Sequence, residues 1–388
     1  MSADPTTVMR PMPMPASAST SAPRSTSREA RVRVLQMGPS LEMHGGISAV
    51  EQLICDYLSP YAAIRHLDTY GEGSWPARGL VFARAVHSLW RALDSVEPTV
   101  YHIHFASRGS ALRKLLLAQL VIRARRPLIL HAHGGRFDRF HRRLPPTLRR
   151  LVNRTLQQAN LVITLSSQWR DFYIQECELA TSQVVVLPNP VRVPARIVDR
   201  AGRGEVQFVH LGKLGHSKGS YDLVKAFLAL PAELRARARL IMAGNGDLDG
   251  VKQAAASESR IEIRPWIDAL ERERLLNESD VFALPSYAEG VPMSLLEAMA
   301  AGLPSITTPV GGIPDVLTHG THGLLVKPGD VAQLSAAMAQ LIGDEPLRLA
   351  AGRRAHERAR GNDVHAYARL LADLYQRIAP VSGWRTEA

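Results

Sequence analysis

Short apolar runs alternate with longer amphipathic segments along most of this chain. The first run spans 31–37, and a polar loop leads from it into a segment with helical spacing that ends near residue 58. Runs of the same kind follow at 64–70, 100–105, 128–133, 161–165 and 184–187. Such alternation predicts a parallel sheet with helices on both of its faces.

A second alternating series begins after the proline-containing stretch 188–204, which we interpret as a hinge. Its apolar runs lie at 206–211, 240–243, 261–263, 281–284, 305–307 and 324–326, and helical patterns end near 341, 360 and 378. We therefore predict an α/β chain with two Rossmann-like, doubly wound domains at 31–195 and 200–362, followed by a last helical segment at 363–388. Residues 1–30, rich in Ser, Pro and Ala, are predicted to be a disordered tail.

The net charge of +11 lies almost entirely in the first half of the chain. Residues 31–199 carry a net +10, whereas residues 200–388 carry a net charge of zero. The two cysteines are too few for a disulfide framework, and no secretory signal or membrane-spanning apolar run is evident. We therefore expect a cytoplasmic protein, and the basic half leaves open a peripheral position on the inner face of the cell membrane.

Arginines are densest between Arg136 and Arg154, where leucines recur at helical spacing. A helix with a solvated basic face and a helix on an anionic membrane surface both fit this pattern. No helix-turn-helix, zinc-finger spacing or aromatic RNA-binding signature accompanies the charge, so we expect no nucleic-acid partner. A non-catalytic basic module that binds nucleic acid or a membrane surface is the alternative to an enzyme.

The stretch 284–302 carries the strongest chemical signal. An apolar strand leads through a loop into a helix that is predicted to begin at Pro292, and the backbone N–H groups of such a helix start suit a phosphate. Glu289 lies at the mouth of this loop, and Glu297 lies two turns into the helix, where it could bind a vicinal diol. An ordinary amphipathic helix has the same pattern, but together these parts fit a phosphate between two sugars.

The residues around both glutamates resemble the retaining glycosyltransferases of family four. Glu289 and Glu297 lie within SYAEG and LLEAMAAGLP, and the likeness continues through PVGGIPD at 309–315 and GLLVKPGD at 323–330. The resemblance implies the GT-B fold, in which two Rossmann-like domains face a central cleft and the last helix crosses back onto the first domain. It also implies a UDP- or GDP-linked sugar as substrate, no cofactor, and a glycan or lipid-linked acceptor in polysaccharide biosynthesis.

The same resemblance assigns roles to individual residues. Glu289 would hold hydroxyls of the donor sugar, and His133 would contact the opposite side of that sugar. Lys213 and Lys218, in the turn GKLGHSKG, would neutralise the diphosphate, although the family commonly has arginine at the first of these positions. The expected donor-binding residues of the second half are Trp266, Gly290, Val291, Pro292, Ser294, Leu295 and Glu297, with Glu297 on the ribose and Trp266 either stacked on the base or simply packed beside it. Gly45 and Gly46 are added from the sequence itself, because a glycine pair at a helix start lets the backbone approach a ligand closely, although such a pair also forms an ordinary turn.

The resemblance further implies transfer with retention of configuration. No side chain of the sequence presents itself as a covalent nucleophile, so a front-face reaction is the favoured family mechanism. We expect no metal: the nearest Asp-x-Asp, at Asp247 and Asp249, lies in a turn that we interpret as structural. His131 and His133 are expected to point to opposite faces of their strand, which also disfavours a metal site. A phosphorylase of the same fold would need a pyridoxal lysine, and no matching motif is present.

Overall fold

The computed structural model describes residues 31–256 and 258–379. The predicted tail at 1–30 and the last residues of the predicted segment 363–388, from 380 on, lie outside them. The strands of the first half are β1 Val32–Pro39, β2 Ala62–Tyr70, β3 Thr99–Phe105, β4 Leu128–Ala132, β5 Leu161–Thr164 and β6 Val184–Val186. Those of the second half are β7 Val206–Leu211, β8 Ala238–Ala243, β9 Ile261–Arg264, β10 Val281–Leu284, β11 Ser305–Thr307 and β12 Gly323–Leu325.

These strands form two parallel six-stranded sheets, in the orders β2-β1-β3-β4-β5-β6 and β12-β11-β10-β7-β8-β9. In the first sheet the chain starts one strand from an edge, adds β2 at that edge and then crosses to build the other side. In the second sheet it starts at β7, builds β8 and β9 on one side and then crosses to add β10, β11 and β12 on the other. The carboxyl ends of parallel strands lie at one edge of a sheet, and the point where the strand order reverses opens a crevice there. The predicted α/β class with two doubly wound parallel sheets is confirmed.

Helices cover both faces of the sheets. In the first half they are α1 Gly46–Leu58, α2 Trp75–Leu93, α3 Gly109–Arg123, α4 Phe137–Arg142, α5 Pro146–Gln157 and α6 Ser167–Glu176. In the second half they are α7 Ser220–Leu228, α8 Ala232–Arg235, α9 Leu248–Ala255, α10 Ala269–Glu278, α11 Met293–Ala300, α12 Ile313–Val316, α13 Val331–Gly343, α14 Glu345–Ala359 and α15 Val364–Ile378. Across the described residues, no helix combines the length and the apolar character that a membrane crossing requires.

The two faces of the first sheet follow from the alternation along β3. Tyr101, Ile103 and Phe105 join the core beneath α3 and α5, whereas Val100 joins a second core with α1 and α15. Successive side chains of a strand point to opposite faces, so the even-numbered residues of β3 face α1 and α15. The last described helix therefore completes the core of the first sheet.

The chain passes between the two sheets twice, and the two passages are hydrogen-bonded to each other. The backbone N–H of Val191 donates to Asn362 at 2.9 Å, and that of Val364 donates to Val191 at 3.0 Å. The buried amide of Asn189 donates to the carbonyl oxygen of Val291 at 2.8 Å. The crossing is thus tied directly to the loop that precedes α11.

Three local predictions are corrected by the structure. The arginine-rich stretch forms two helices, α4 and α5, rather than one, because Pro145 and Pro146 cannot continue a helix interior. The sequence also suggests a loop near the acceptor at 71–78, but Trp75 already begins α2, so this loop spans only 71–74. Helix α11 begins at Met293 with Pro292 in the capping position, one residue later than expected.

Candidate functional site

The start of α11 is an uncapped helix N-terminus. Most neighbouring helices of the second half are capped by an aspartate side chain, as α10 is by Asp268, but no side chain caps α11. Among the described residues, the backbone N–H groups of Gly290, Val291 and Ser294 donate to no protein acceptor. These donors, with the positive end of the helix dipole, are available to an anion.

Beside this helix start, Lys218 and Glu289 form an ion pair. The Nζ of Lys218 lies 2.5 Å from Oε1 of Glu289, and the hydroxyl of Ser286 donates to the same oxygen at 2.7 Å. Glu289 is 7% exposed, and Lys218 is 26% exposed at its side chain. Both contacts use Oε1, so Oε2 keeps its capacity to accept a hydrogen bond from a sugar hydroxyl.

Gly219 allows the turn at 212–219, which carries Lys218, to pack against the loop at 285–292, which carries Glu289 (the glutamate loop). Gly219 has a φ of 69°, and a Cβ there would lie 2.1 Å from the carbonyl oxygen of Pro285. The N–H of Tyr287 donates to the carbonyl oxygen of Ser217 at 3.1 Å. Because only glycine permits this backbone conformation and approach, the sequence Lys218-Gly219 positions the ammonium group over Glu289.

The first half reaches the same loop through the residues that follow β4. A Cβ on Gly290 would lie 2.9 Å from the carbonyl oxygen of His133, and one on Gly135 would lie 2.2 Å from the carbonyl carbon of Glu289. His133 and Glu289, separated by more than 150 residues in sequence, therefore border one site. Burial, and secondarily the charge of Lys114, lower the pKa of His133 to about 3. With this pKa the His133 ring is neutral at neutral pH, and it offers one hydrogen-bond donor and one acceptor.

Glu297 has a partner that the sequence analysis missed. Its Oε2 lies 3.1 Å from Nε of Arg272 on α10. Burial raises the pKa of Glu297, and the guanidinium of Arg272 offsets only part of that rise. The arginine therefore favours the ionised carboxylate in a partly buried position. Arg272 stands in the charged run ALERER, where nothing in the pattern separates it from Arg274 two residues later.

The other residues predicted to bind the donor differ in their exposure and in the atoms that they contact. Lys213 is exposed, whereas Trp266 is partly buried and stacks on His44 of the first half, with ring centroids 4.7 Å apart. A Cβ on Gly46 would lie 3.7 Å from Cγ of Met293, so the starts of α1 and α11 are neighbours, while one on Gly45 would meet nothing within 4 Å. Pro292 and Leu295 are buried.

The expectation that His131 and His133 point to opposite faces is wrong. Residues two apart on a strand share a face, and the two rings lie with their centroids 4.1 Å apart. They join His102 and His104 of β3 in a buried cluster, and Nδ1 of His104 lies 2.9 Å from Nε2 of His133. Burial lowers the pKa of all four imidazoles. The Asp247 side chain, by contrast, caps α9, as the structural interpretation of that turn predicts.

A pocket of 640 Å³ opens beside the glutamate loop. Its walls come from α4 and α6 of the first half and from the loops at 287–288 and 309–311 of the second. Gly135, Arg139 and Ala288 are among its lining residues. Through Gly135 and Ala288 the pocket adjoins the chain segments that carry His133 and Glu289.

Two family profiles together match most of the chain. The sequence profile described as Glycosyltransferase Family 4 matches residues 54–193, and the profile described as Glycosyl transferases group 1 matches residues 205–344. The chain is 27% identical to the amylovoran biosynthesis glycosyltransferase AmsK of Erwinia amylovora over 296 residues, which cover 72% of this chain and 70% of the relative. It is 34% identical to the N-acetyl-alpha-D-glucosaminyl L-malate synthase of Bacillus anthracis, but over only 38% of this chain and 39% of the relative.

Solved structures show the same architecture. The crystal structure of Anabaena HepE in complex with UDP-glucose superposes with a TM-score of 0.71 at 17% identity, covering 89% of this chain and 100% of that one. WaaG, a glycosyltransferase involved in lipopolysaccharide biosynthesis, superposes with a TM-score of 0.66 at 16% identity. At these identities the likeness establishes the two-domain fold, whereas the family assignment comes from the two sequence profiles.

Proposed function

The chain belongs to glycosyltransferase family 4. From this premise we propose that it transfers a sugar from a UDP- or GDP-linked donor with retention of the anomeric configuration. The observation that carries the proposal is the Lys218–Glu289 ion pair beside the uncapped start of α11. An ammonium group and free amides suit a diphosphate, and a carboxylate suits neutral hydroxyls. These groups meet where the two halves of the chain approach each other.

In this mechanism the bond between the anomeric carbon and the diphosphate oxygen breaks, and a bond from that carbon to the acceptor oxygen forms on the same face. The acceptor proton passes to the departing phosphate oxygen. Lys218, Lys213 and the amides of α11 stabilise the charge that develops on the diphosphate. Glu289 and neutral His133 hold the sugar from opposite sides, and Glu297 holds the ribose.

We propose that these cations replace a divalent metal at the diphosphate, and that no cofactor takes part in the bond-breaking and bond-forming steps. Initial rates are then expected to be the same with and without added Mg²⁺ or Mn²⁺. The donor is identified by a thermal-shift screen of UDP- and GDP-sugars, and the anomeric configuration of the product is read by NMR. A product of inverted configuration, or a panel in which no sugar nucleotide stabilises the chain, would contradict the proposed function.

For the acceptor we propose a lipid-linked glycan of surface-polysaccharide assembly, presented to the enzyme at an anionic membrane. The relatives named for amylovoran and lipopolysaccharide synthesis support this setting. So does the surface of the first half, where Leu116 of α3 and Leu151 of α5 are 61% and 53% exposed beside an apolar groove. Arg149 and Arg150 of α5 are exposed next to Leu151. Apolar side chains flanked by arginines suit a bilayer rich in anionic lipid.

Replacing both Arg149 and Arg150 by glutamine is expected to weaken binding to vesicles of phosphatidylglycerol. Each arginine near an anionic surface contributes about 1 kcal/mol, so the double variant should bind roughly thirtyfold more weakly in a sedimentation assay. The matched control is R353Q/R354Q, which removes two exposed arginines of the second half. Equal losses in both double variants, or strong binding of the native chain to neutral phosphatidylcholine, would contradict a dedicated membrane surface on α5.

A further inference from the structure

The histidine cluster behind the donor site has more hydrogen-bonding capacity than the protein uses. His102, His104 and His131 are fully buried. Nε2 of His102, Nε2 of His104 and both ring nitrogens of His131 have no hydrogen-bond partner. Four unpartnered imidazole nitrogens within one buried cluster are costly, because each gives up hydration without compensation.

The strand register explains why these rings converge. His102 and His104 are two residues apart on β3 and share its face toward α1 and α15. His131 on β4 is paired directly with His104 in the parallel ladder. One ring nitrogen from each of the three histidines can be chosen so that all three atoms lie within 4.8 Å of one another.

The Nδ1 atoms of the two β3 histidines, His102 and His104, already have hydrogen-bond partners. Nδ1 of His102 lies 2.8 Å from the hydroxyl of Tyr375 on α15, and Nδ1 of His104 lies 2.9 Å from Nε2 of His133. When each Nδ1 donates its proton to that partner, the Nε2 of the same ring presents a lone pair. Second-layer hydrogen bonds of this kind orient histidines that ligate metals. Three buried imidazoles, each with an unpartnered nitrogen and each offering one ring nitrogen within 4.8 Å of the others, favour a cation as occupant.

We propose that His102, His104 and His131 bind a divalent transition-metal ion, with Zn²⁺ as the best fit for three neutral imidazoles. Three nitrogens at bonding distance from one Zn²⁺ lie about 3.3 Å apart. The rings would therefore have to close on the ion from the present separations of up to 4.8 Å. A tetrahedral ion then keeps its fourth position for water. The ion lies behind the cleft rather than at the diphosphate, so the site is compatible with transfer that needs no added Mg²⁺ or Mn²⁺.

Metal binding would also fix the tautomers of His104 and His133, which connect the proposed ion to the donor site. Ligation through Nε2 of His104 requires the proton on its Nδ1, which then donates to Nε2 of His133. The remaining proton of neutral His133 must sit on its Nδ1. The proposed ion is therefore a positioning element for His133, and it is inferred independently of the proposed transfer reaction.

The test measures metal directly on the full chain without a histidine tag. Protein produced in zinc-supplemented medium is expected to retain one equivalent of Zn²⁺ per chain through gel filtration and dialysis, measured by elemental analysis. Replacement by Co²⁺ should give the visible absorption bands of a tetrahedral nitrogen site. H102Q/H131Q should lose the bound metal, whereas H141Q should keep it, because His141 is buried outside the cluster with Nε2 2.7 Å from Asn153.

A thermal melt separates metal loss from misfolding. The native chain should melt at a higher temperature with Zn²⁺ than after removal of the metal by a chelator, and a folded double variant should show no such difference. If the double variant does not fold, the metal content and Co²⁺ spectrum of the native chain alone decide the question. Substoichiometric metal in the native chain, or equal binding by H102Q/H131Q, would overturn the proposal, and water would then be the occupant of the cluster. None of these readings depends on transferase activity.

Discussion

Replacing Lys218 by alanine is expected to lower kcat by roughly 10²- to 10³-fold, the loss typical of removing one preorganised group that stabilises developing charge. The Nζ of Lys218 is held 2.5 Å from Glu289 by the folded turn, so its charge is in place before the donor arrives. Charge on the diphosphate grows as the sugar departs, and the missing cation therefore weakens the transition state more than the bound substrate. Steady-state kinetics with the identified donor would measure the loss.

The matched control is Lys225→Ala, which removes an exposed lysine of α7 from the same region of the second half. It should leave kcat unchanged. Lys218→Arg should recover part of the rate, because it restores the charge with a different shape. Full turnover of the alanine variant, or equal losses at Lys218 and Lys225, would remove Lys218 from the phosphate site and leave the amides of α11 as its main component.

Most of the fold could be predicted because its strands are buried on both faces. A strand covered by helices on each side reads as a short continuous apolar run, as at 161–165 and 281–284, and the structure places β5 and β10 there. Helix boundaries were less secure. The pair Pro145-Pro146 was available to divide the arginine-rich stretch, but leucine spacing suggested a single helix across it.

Individual residues of the candidate site could be predicted from the sequence, but the contacts between them could not. Lys218 and Glu289 were each identified, yet their ion pair joins residues 71 apart, and no local pattern encodes such a contact. Arg272 gave no signal because it alternates with other charges on an exposed-looking helix. The shared face of His131 and His133 is a different case, since their spacing of two residues was sufficient to predict it and was misread.

The second large effect is expected on donor affinity, and it concerns Glu297, the ion-pair partner of Arg272. Replacing Glu297 by alanine is expected to raise the dissociation constant of the nucleoside diphosphate and the KM of the donor by roughly ten- to a hundredfold, because a hydrogen bond to a charged group contributes about 1.5–3 kcal/mol. The ribose is held equally in the ground and transition states, so kcat should change little. Isothermal titration with UDP and GDP separates this binding loss from any effect on chemistry.

A double-mutant cycle tests whether Arg272 acts through Glu297. Arg272→Ala alone should weaken nucleotide binding less than Glu297→Ala, since it frees the carboxylate without removing it. Once Glu297 is alanine, removing Arg272 should cost nothing further, because the 3.1 Å contact no longer exists. Glu273→Ala, an exposed carboxylate on the same helix, serves as the control. Additive losses in the double variant would show that Arg272 contacts the donor itself, and unchanged nucleotide affinity in Glu297→Ala would place the ribose elsewhere.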